Sequence, residues 1–443
     1  TNNGTSVRFV AAGSTGVDFA VEKPTDYCQN SPRLVTCEMP WLITSSSTPR
    51  PGALTLRSEF NTALSFNADG SIAATGGTGG TKIANGTDLG AVFGIGVDRA
   101  STGLPGSFNN VYFGTFVKRH VPYGLAGAVN AIYRVNGDPT AAAANTVSTF
   151  VTLGVHTLPA HIATPPTGTV PGACPPSGTP RYPQACSTFP PYSADGIRAD
   201  GIATDPYHMV GRAGLGDVDV TPDGTTLYAV EEYEAAPVLW RVPINGTGNA
   251  VTAGSPTAIA IPTPATFNSI TCPGTWHPMG IGMRGSRVLV GGVCGDENYA
   301  IAAPTAFVLE LDVTNDTFST IAALSLGYPK AGSNAAPTTL ESMNSGASGL
   351  WRPWDDSNTA AWLRNGAAPE PMLANIEIRD DGSLVLNFRD RYLDQSTPKA
   401  VDYEASSLNN PPLSPVGNSG ADTLLLCFSG GVYTKETAAT CNG

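Results

Sequence analysis

Apolar and polar positions alternate with period two through much of the chain, the spacing of strands that turn one face to each side. The clearest stretch is residues 215–230, which folds about Asp223-Gly224 and is followed by apolar runs at 238–242 and 258–262. An Asp-Gly pair supplies positive φ cheaply in a hairpin, so this segment predicts a four-stranded antiparallel meander. The signature returns at 373–387 around Asp381-Gly382 and, more weakly, at 62–73 around Asp69-Gly70. Two further segments keep the strand order without the pair: 92–97, 111–117, 131–135 and 149–153, then 279–283, 287–291, 306–311 and 318–322.

Meanders recurring at irregular, loop-inflated spacing predict an all-β fold. The reading is a β-propeller of four-stranded antiparallel blades with long loop insertions, stacked β-sandwiches being the alternative. The insertions at 155–213, 324–371 and 390–422 are rich in Pro, Ala, Ser and Asn and are expected to decorate one or both propeller faces. The propeller-like domain is placed at 28–443, preceded by a short N-terminal strand arm at 1–27. Val7 and Phe9 form one alternating apolar row in that arm, and Val17, Phe19 and Val21 another. So short an arm cannot bury those rows itself. It is expected to add to a sheet edge of a second copy or of its own chain, or to stay a tail; head-to-tail addition would propagate into a filament.

Composition narrows the class. Gly 50 and Pro 37 with only 14% charged residues exclude a helical bundle, and 41% hydrophobic residues are enough for a large core. A net charge of −12 without a long Lys/Arg cluster argues against nucleic acid or anionic lipid as partner. No stretch of about 18 apolar residues predicts a membrane span. The start at Thr1, without Met or signal sequence, fits a processed mature product. The eight Cys fall as four local couples, Cys28 with Cys37, Cys174 with Cys186, Cys272 with Cys294 and Cys427 with Cys441. Disulfides are the first reading, with free core thiols or metal ligands as alternatives, and disulfides imply an extracellular setting. Four N-x-S/T sequons, at Asn3, Asn85, Asn245 and Asn315, are compatible with that compartment.

The run Gly16-Val-Asp-Phe-Ala-Val-Glu-Lys-Pro-Thr-Asp-Tyr-Cys28 resembles the last strand of prealbumin-like B-type repeats, of the SdrD/SpaA kind, in large bacterial cell-surface proteins. Stretches at 116–124, 131–134, 214–220, 369–378 and 387–392 resemble the propeller-like region that follows such repeats. The resemblance spans about residues 16 to 428 by scattered motifs, and it implies location at the cell surface more than any chemistry. Two departures stand out. No complete B-type domain precedes residue 27, and the chain stops soon after a strand at 424–427, which leaves a final blade missing, incomplete or supplied by strand exchange.

Candidate chemistry is sparse. Lys118-Arg119-His120 ends a strand and would suit an acidic glycan or carboxylate, or is merely a charged strand end. Arg389-Asp390-Arg391 would clamp a ligand, or forms a salt-bridged corner between blades. Asp217 and Asp219 share one strand face, with Asn375 and Glu377 in the matching places of the second copy; converging near the axis they would hold Ca²⁺, act as acid and base, or form a structural network. His156 and His161 are five apart with Pro159 between them, unlike a helical zinc pair. Nucleophile-elbow and phosphate-loop motifs are absent, and Gly94-x-Gly96 lacks a dinucleotide-site context. The sequence therefore predicts an extracellular structural or adhesive protein without catalytic signature. It would assemble with like subunits or cell-envelope components and need no cofactor, Ca²⁺ being the one candidate. The alternative is a carbohydrate-binding or carbohydrate-active propeller.

Overall fold

The computed structural model describes residues 35–37, 56–58, 84, 89–98, 110–117, 129–136, 146–154, 210–233, 236–246, 250–295, 303–328, 351, 353–354, 370–391, 394 and 422–437. Strands β1 (Val35–Cys37) and β2 (Leu56–Ser58) pair as a small antiparallel ribbon. The rest forms four antiparallel sheets. The first holds β3 (Val92–Val97), β4 (Asn110–Thr115), β5 (Ala131–Asn136) and β6 (Thr146–Thr152). The second holds β7 (Leu215–Val220), β8 (Thr226–Glu231) and β9 (Val238–Asn245), with short β10 (Thr252–Ala253) and β11 (Thr257–Ala260) sharing the outer edge of β9. The third holds β12 (Thr275–Arg284), β13 (Arg287–Gly295), β14 (Thr305–Asp312) and β15 (Thr317–Ser325). The fourth holds β16 (Pro371–Ile378), β17 (Leu384–Asp390), β18 (Asp422–Ser429) and β19 (Val432–Lys435). Together they make a four-bladed β-propeller.

Strand periodicity explains why the middle strands are buried on both sides. In β8, Leu227 and Ala229 pack toward the first blade, among Tyr112, Ile132 and Leu215. Tyr228 and Val230 pack toward the third, among Ile281, Val290 and Phe307. Likewise Leu289 and Val293 of β13 face a cluster with Leu373, Ile376 and Phe388 of the fourth blade. Alternate residues thus serve successive interfaces, and each interface is apolar.

The four first strands line the axis. Each carries a register shift near its start, at Val92/Ile95, Leu215/Val218, Pro278/Gly280 and Leu373/Asn375. These bulges occur where one first strand passes the next with backbone against backbone. A Cβ on Gly216 would lie 2.6 Å from the Met279 carbonyl oxygen, and one on Gly280 would lie 2.7 Å from that of Leu373. Gly94 meets the Asp217 backbone at 2.7 Å and Gly282 the Ile376 carbonyl oxygen at 2.6 Å in the same way. Only glycine fits such an approach.

Connectivity then makes the two propeller faces unlike. First-to-second and third-to-fourth strand connections leave one end of the blades. In blades 2 to 4 they are short, as in the 221–225, 285–286, 379–383 and 430–431 turns, and Gly224 (φ 71°) and Gly382 (φ 83°) supply the positive φ expected of the Asp-Gly pairs. The connections 154–214, 326–370 and 391–421 all leave from the opposite end of the blades.

The segments read from the sequence at 92–153, 215–262 and 279–322 are the first three blades, the 373–387 hairpin opens the fourth, and the sandwich alternative is set aside. One expectation is corrected. The strand around 424–427 does not belong to an incomplete blade, because β19 returns along β18 after the Gly430-Gly431 turn and supplies the fourth strand. The hairpin expected at 62–73 and the arm at 1–27 lie outside the described residues.

The glycine contacts give a direct test. Gly280→Ala is expected to destabilise the fold by about 3 kcal/mol through overpacking against backbone that cannot yield. Gly285→Ala, at a turn where no heavy atom lies within 4 Å, should cost only about 1 kcal/mol from its positive φ of 59°. Urea unfolding of both variants measures the difference.

Candidate functional site

The bulge in β7 turns Asp217 inward. Its Oδ1 accepts the Val218 N–H at 2.9 Å and its Oδ2 accepts the Ile281 N–H of β12 at 3.1 Å. Asn375 of β16 reaches the same Oδ2 with its Nδ2 at a long 3.5 Å, a contact between blades 2 and 4, which stand opposite each other across the axis. Asn375 Oδ1 in turn accepts from Asn387 Nδ2 at 3.5 Å, and Asn387 Oδ1 accepts from Thr423 Oγ1 at 3.1 Å. A polar chain therefore crosses the axis from blade 2 to blade 4 and runs outward along blade 4. Burial pushes the Asp217 carboxyl well above the usual carboxylate range, with nearby Asp219 and Glu377 adding to the rise and the two N–H donors opposing it. Asp219 is half-buried and caps its own strand through the Val220 N–H at 2.9 Å, while Glu377 is exposed.

A second cluster lies at the end of the blades from which the long connections leave. Arg391 is fully buried; its Nε donates to the Val210 carbonyl and its Nη1 to Glu370 Oε2, both at 2.7 Å. Its guanidinium lies 4.4 Å from the Trp354 ring centroid, and the His277 ring stacks on that indole at 3.8 Å. Asp390 Oδ1 accepts the Glu370 N–H at 2.9 Å. One arginine thus ties the entries to β7 and β16 together. Arg389 turns the other way, 2.5 Å from Asp394 and over the rings of Phe93 and Phe116 at 4.5 and 5.5 Å. It binds the fourth blade to the first by cation–π contact, so the ring closes through side chains. Glu232, beyond β8, is 2% exposed, and its Oε2 has no hydrogen-bond partner among the described residues. Burial pushes its carboxyl well up; Arg389 pulls it back, Asp394 raises it, and Arg391 again lowers it.

The sequence-based candidates thus divide. Asp217, Asp219 and Glu377 interact at the axis, whereas Arg389, Asp390 and Arg391 form the expected corner between blades. Arg119 and His120 lie outside the described residues. Cys272 and Cys294 are joined, with Cα atoms 5.3 Å apart, and Cys427 is also disulfide-bonded. Cys28, Cys174, Cys186, Cys441, the side chain of Cys37 and the arm residues Val7, Phe9, Val17, Phe19 and Val21 lie outside the described residues. Among the described residues no group of three or more His, Cys, Asp or Glu is placed to hold a metal ion.

Sequence reasoning missed Arg134 and Arg241. Arg134 donates to the Val251 carbonyl of blade 2 at 2.6 Å, and Arg241 pairs with Asp316 of blade 3 through two contacts of 2.7 and 3.0 Å. Arg284 pairs with Asp380 and Arg287 reaches Tyr433 at 3.2 Å, both from blade 3 to blade 4. The parallel runs Ile132-Tyr-Arg-Val135 and Leu239-Trp-Arg-Val242 carried the signal for the first two.

Fold and site define a disulfide-bonded four-bladed propeller whose interior charges mainly join blades. No family model matches the chain. It is 26% identical over 178 residues to Colossin-B of Dictyostelium discoideum, a stretch covering 39% of this chain but only 4% of that much longer protein. A crystal structure of a thermostable family-43 glycoside hydrolase overlaps 79% of this chain and 94% of its own, at 10% identity and a TM-score of 0.26. A likeness that shallow carries no functional argument.

Two predictions follow from the buried charges. Arg391→Ala leaves Glu370 buried without its cation and should cost about 3–5 kcal/mol, read by chemical denaturation. For Glu232 the folded carboxyl is raised, so the folded state holds a proton that the unfolded chain has released. Its contribution is complete below the ordinary carboxylate value of about 4 and is lost as pH rises toward the folded value. Glu232→Gln should therefore flatten the fall of stability with pH above about 5. Thermal melts across pH check this.

Proposed function

We propose that this chain is an extracellular surface module with a structural or adhesive role. The observation that carries the reading is the occupied axis: Asp217, a polar group well placed for an axial ligand, accepts from Ile281 of the adjacent blade and, at long range, from Asn375 of the opposite one. The disulfide-bonded cysteines suit an oxidising compartment. The long connections leave from one face of the scaffold, where binding residues are commonly carried. The match to a small part of Colossin-B suits a module carried within long chains. The resemblance to bacterial surface proteins with B-type repeats points the same way, and the apolar rows of residues 1–27 supply strands for joining a neighbour.

A second reading, a carbohydrate-binding or carbohydrate-active propeller, is favoured by one observation. Glu232 is a buried carboxyl whose proton affinity burial raises, near Asp394, which is paired with Arg389, and two carboxyl groups in unlike environments are what glycoside chemistry uses.

Sedimentation and electron microscopy of the full chain and of a chain lacking residues 1–22 test the first reading. The full chain should form multimers and the shortened chain monomers; equal particle mass would reject strand exchange. A glycan array and chromogenic glycosides test the second: saturable binding or turnover abolished by Glu232→Gln would replace the first reading.

A further inference from the structure

The asparagines of two of the four sequons fall on described residues, and the fold brings them to one place. Asn245 ends β9 and Asn315 lies in the β14–β15 turn, so both occupy third-to-fourth-strand connections of adjacent blades on the short-turn face. Both side chains are exposed. After Asn245 the chain turns away at Gly246 (φ 93°), and after Asn315 at Asp316 (φ 54°). In the second turn Asp312 accepts the Thr314 N–H at 2.9 Å and one Nδ2 hydrogen of Asn315 at 2.8 Å. The amide is thereby fixed at the tip of the turn, its second hydrogen toward solvent. Beside it stands Val313, 40% exposed, an apolar side chain with nothing to cover it among the described residues.

We propose that Asn315 and Asn245 are attachment points for N-linked oligosaccharides, which clothe the short-turn face and leave the loop-bearing face to partners. The inference rests on the extracellular reading above. Thr317, and in the sequence Thr247, which lies outside the described residues, supply the hydroxyl residue that the N-x-S/T acceptor requires. The donor is an oligosaccharide carried on a lipid pyrophosphate. Its sugar C1–O bond breaks as a C1–Nδ2 bond forms, the lipid pyrophosphate departs, and the amide gives one proton to solvent. The secondary amide that results keeps one N–H, and the sugar is attached two residues from the exposed Val313.

Protein isolated from its natural source provides the test. Peptide N-glycosidase digestion in heavy-oxygen water converts each glycosylated Asn to labelled Asp, and peptide mapping without reduction reads the disulfides in the same sample. Label at both Asn315 and Asn245 is expected. An unlabelled Asn at either position overturns the proposal, and if Cys272 and Cys294 are then still joined, the extracellular reading stands. Free thiols at 272 and 294 overturn both.

Discussion

Four first strands crowded round one axis are the constraint on which the rest of the propeller depends. With so few blades the strands pass within backbone contact, so side chains are excluded at Gly94, Gly216, Gly280 and Gly282. Each strand also bulges near the crossing, which breaks its own ladder and leaves backbone donors to satisfy. Asp217 answers that need by accepting the Ile281 N–H of the next blade. The carboxylate is buried because the ring is narrow, and its altered proton affinity follows from the burial.

The same geometry decides how the blades are fastened. The interfaces are apolar sheets at an angle, which resist separation but specify register weakly. Arginines at their edges add direction: Arg134 and Arg241 reach forward to the next blade, Arg284 and Arg287 join the third to the fourth, and Arg389 closes the fourth on the first. Several of these pairs are half-exposed and contribute little energy singly. Arg391 differs, since its fully buried guanidinium pairs with Glu370 at the entry to blade 4 and donates to the Val210 carbonyl at the entry to blade 2. The charged residues that invite a functional reading are thus largely those that a four-bladed ring needs.

Much of the fold was legible because strand alternation and Asp-Gly turns are local signals, and three blades and the opening hairpin of the fourth could be placed from them. The fourth strand of the last blade escaped notice because Val432-Tyr-Thr-Lys435 is short and follows a Gly-Gly turn without a strong apolar pattern. The same-face placement of Asp217 and Asp219 was sound in principle. The sequence did not reveal the bulge that buries one and leaves the other half-exposed. Glu232 and Glu370 could not be found at all, because nothing near them in sequence marks burial; their partners come from β17 and its continuation more than a hundred residues away for Glu232 and about twenty for Glu370. Side chains that meet only through ring closure leave no local trace.

The central claim is that the axis is a sealed structural core. Native-state hydrogen exchange at the Ile281 amide, the donor to Asp217, tests it most directly. A sealed axis predicts that this amide exchanges only on global unfolding, with the same free energy as the core amides of β13 and β17, and that added glycans leave its rate unchanged. Exchange through a lower-energy local opening, or protection that appears only with a bound glycan, would contradict it.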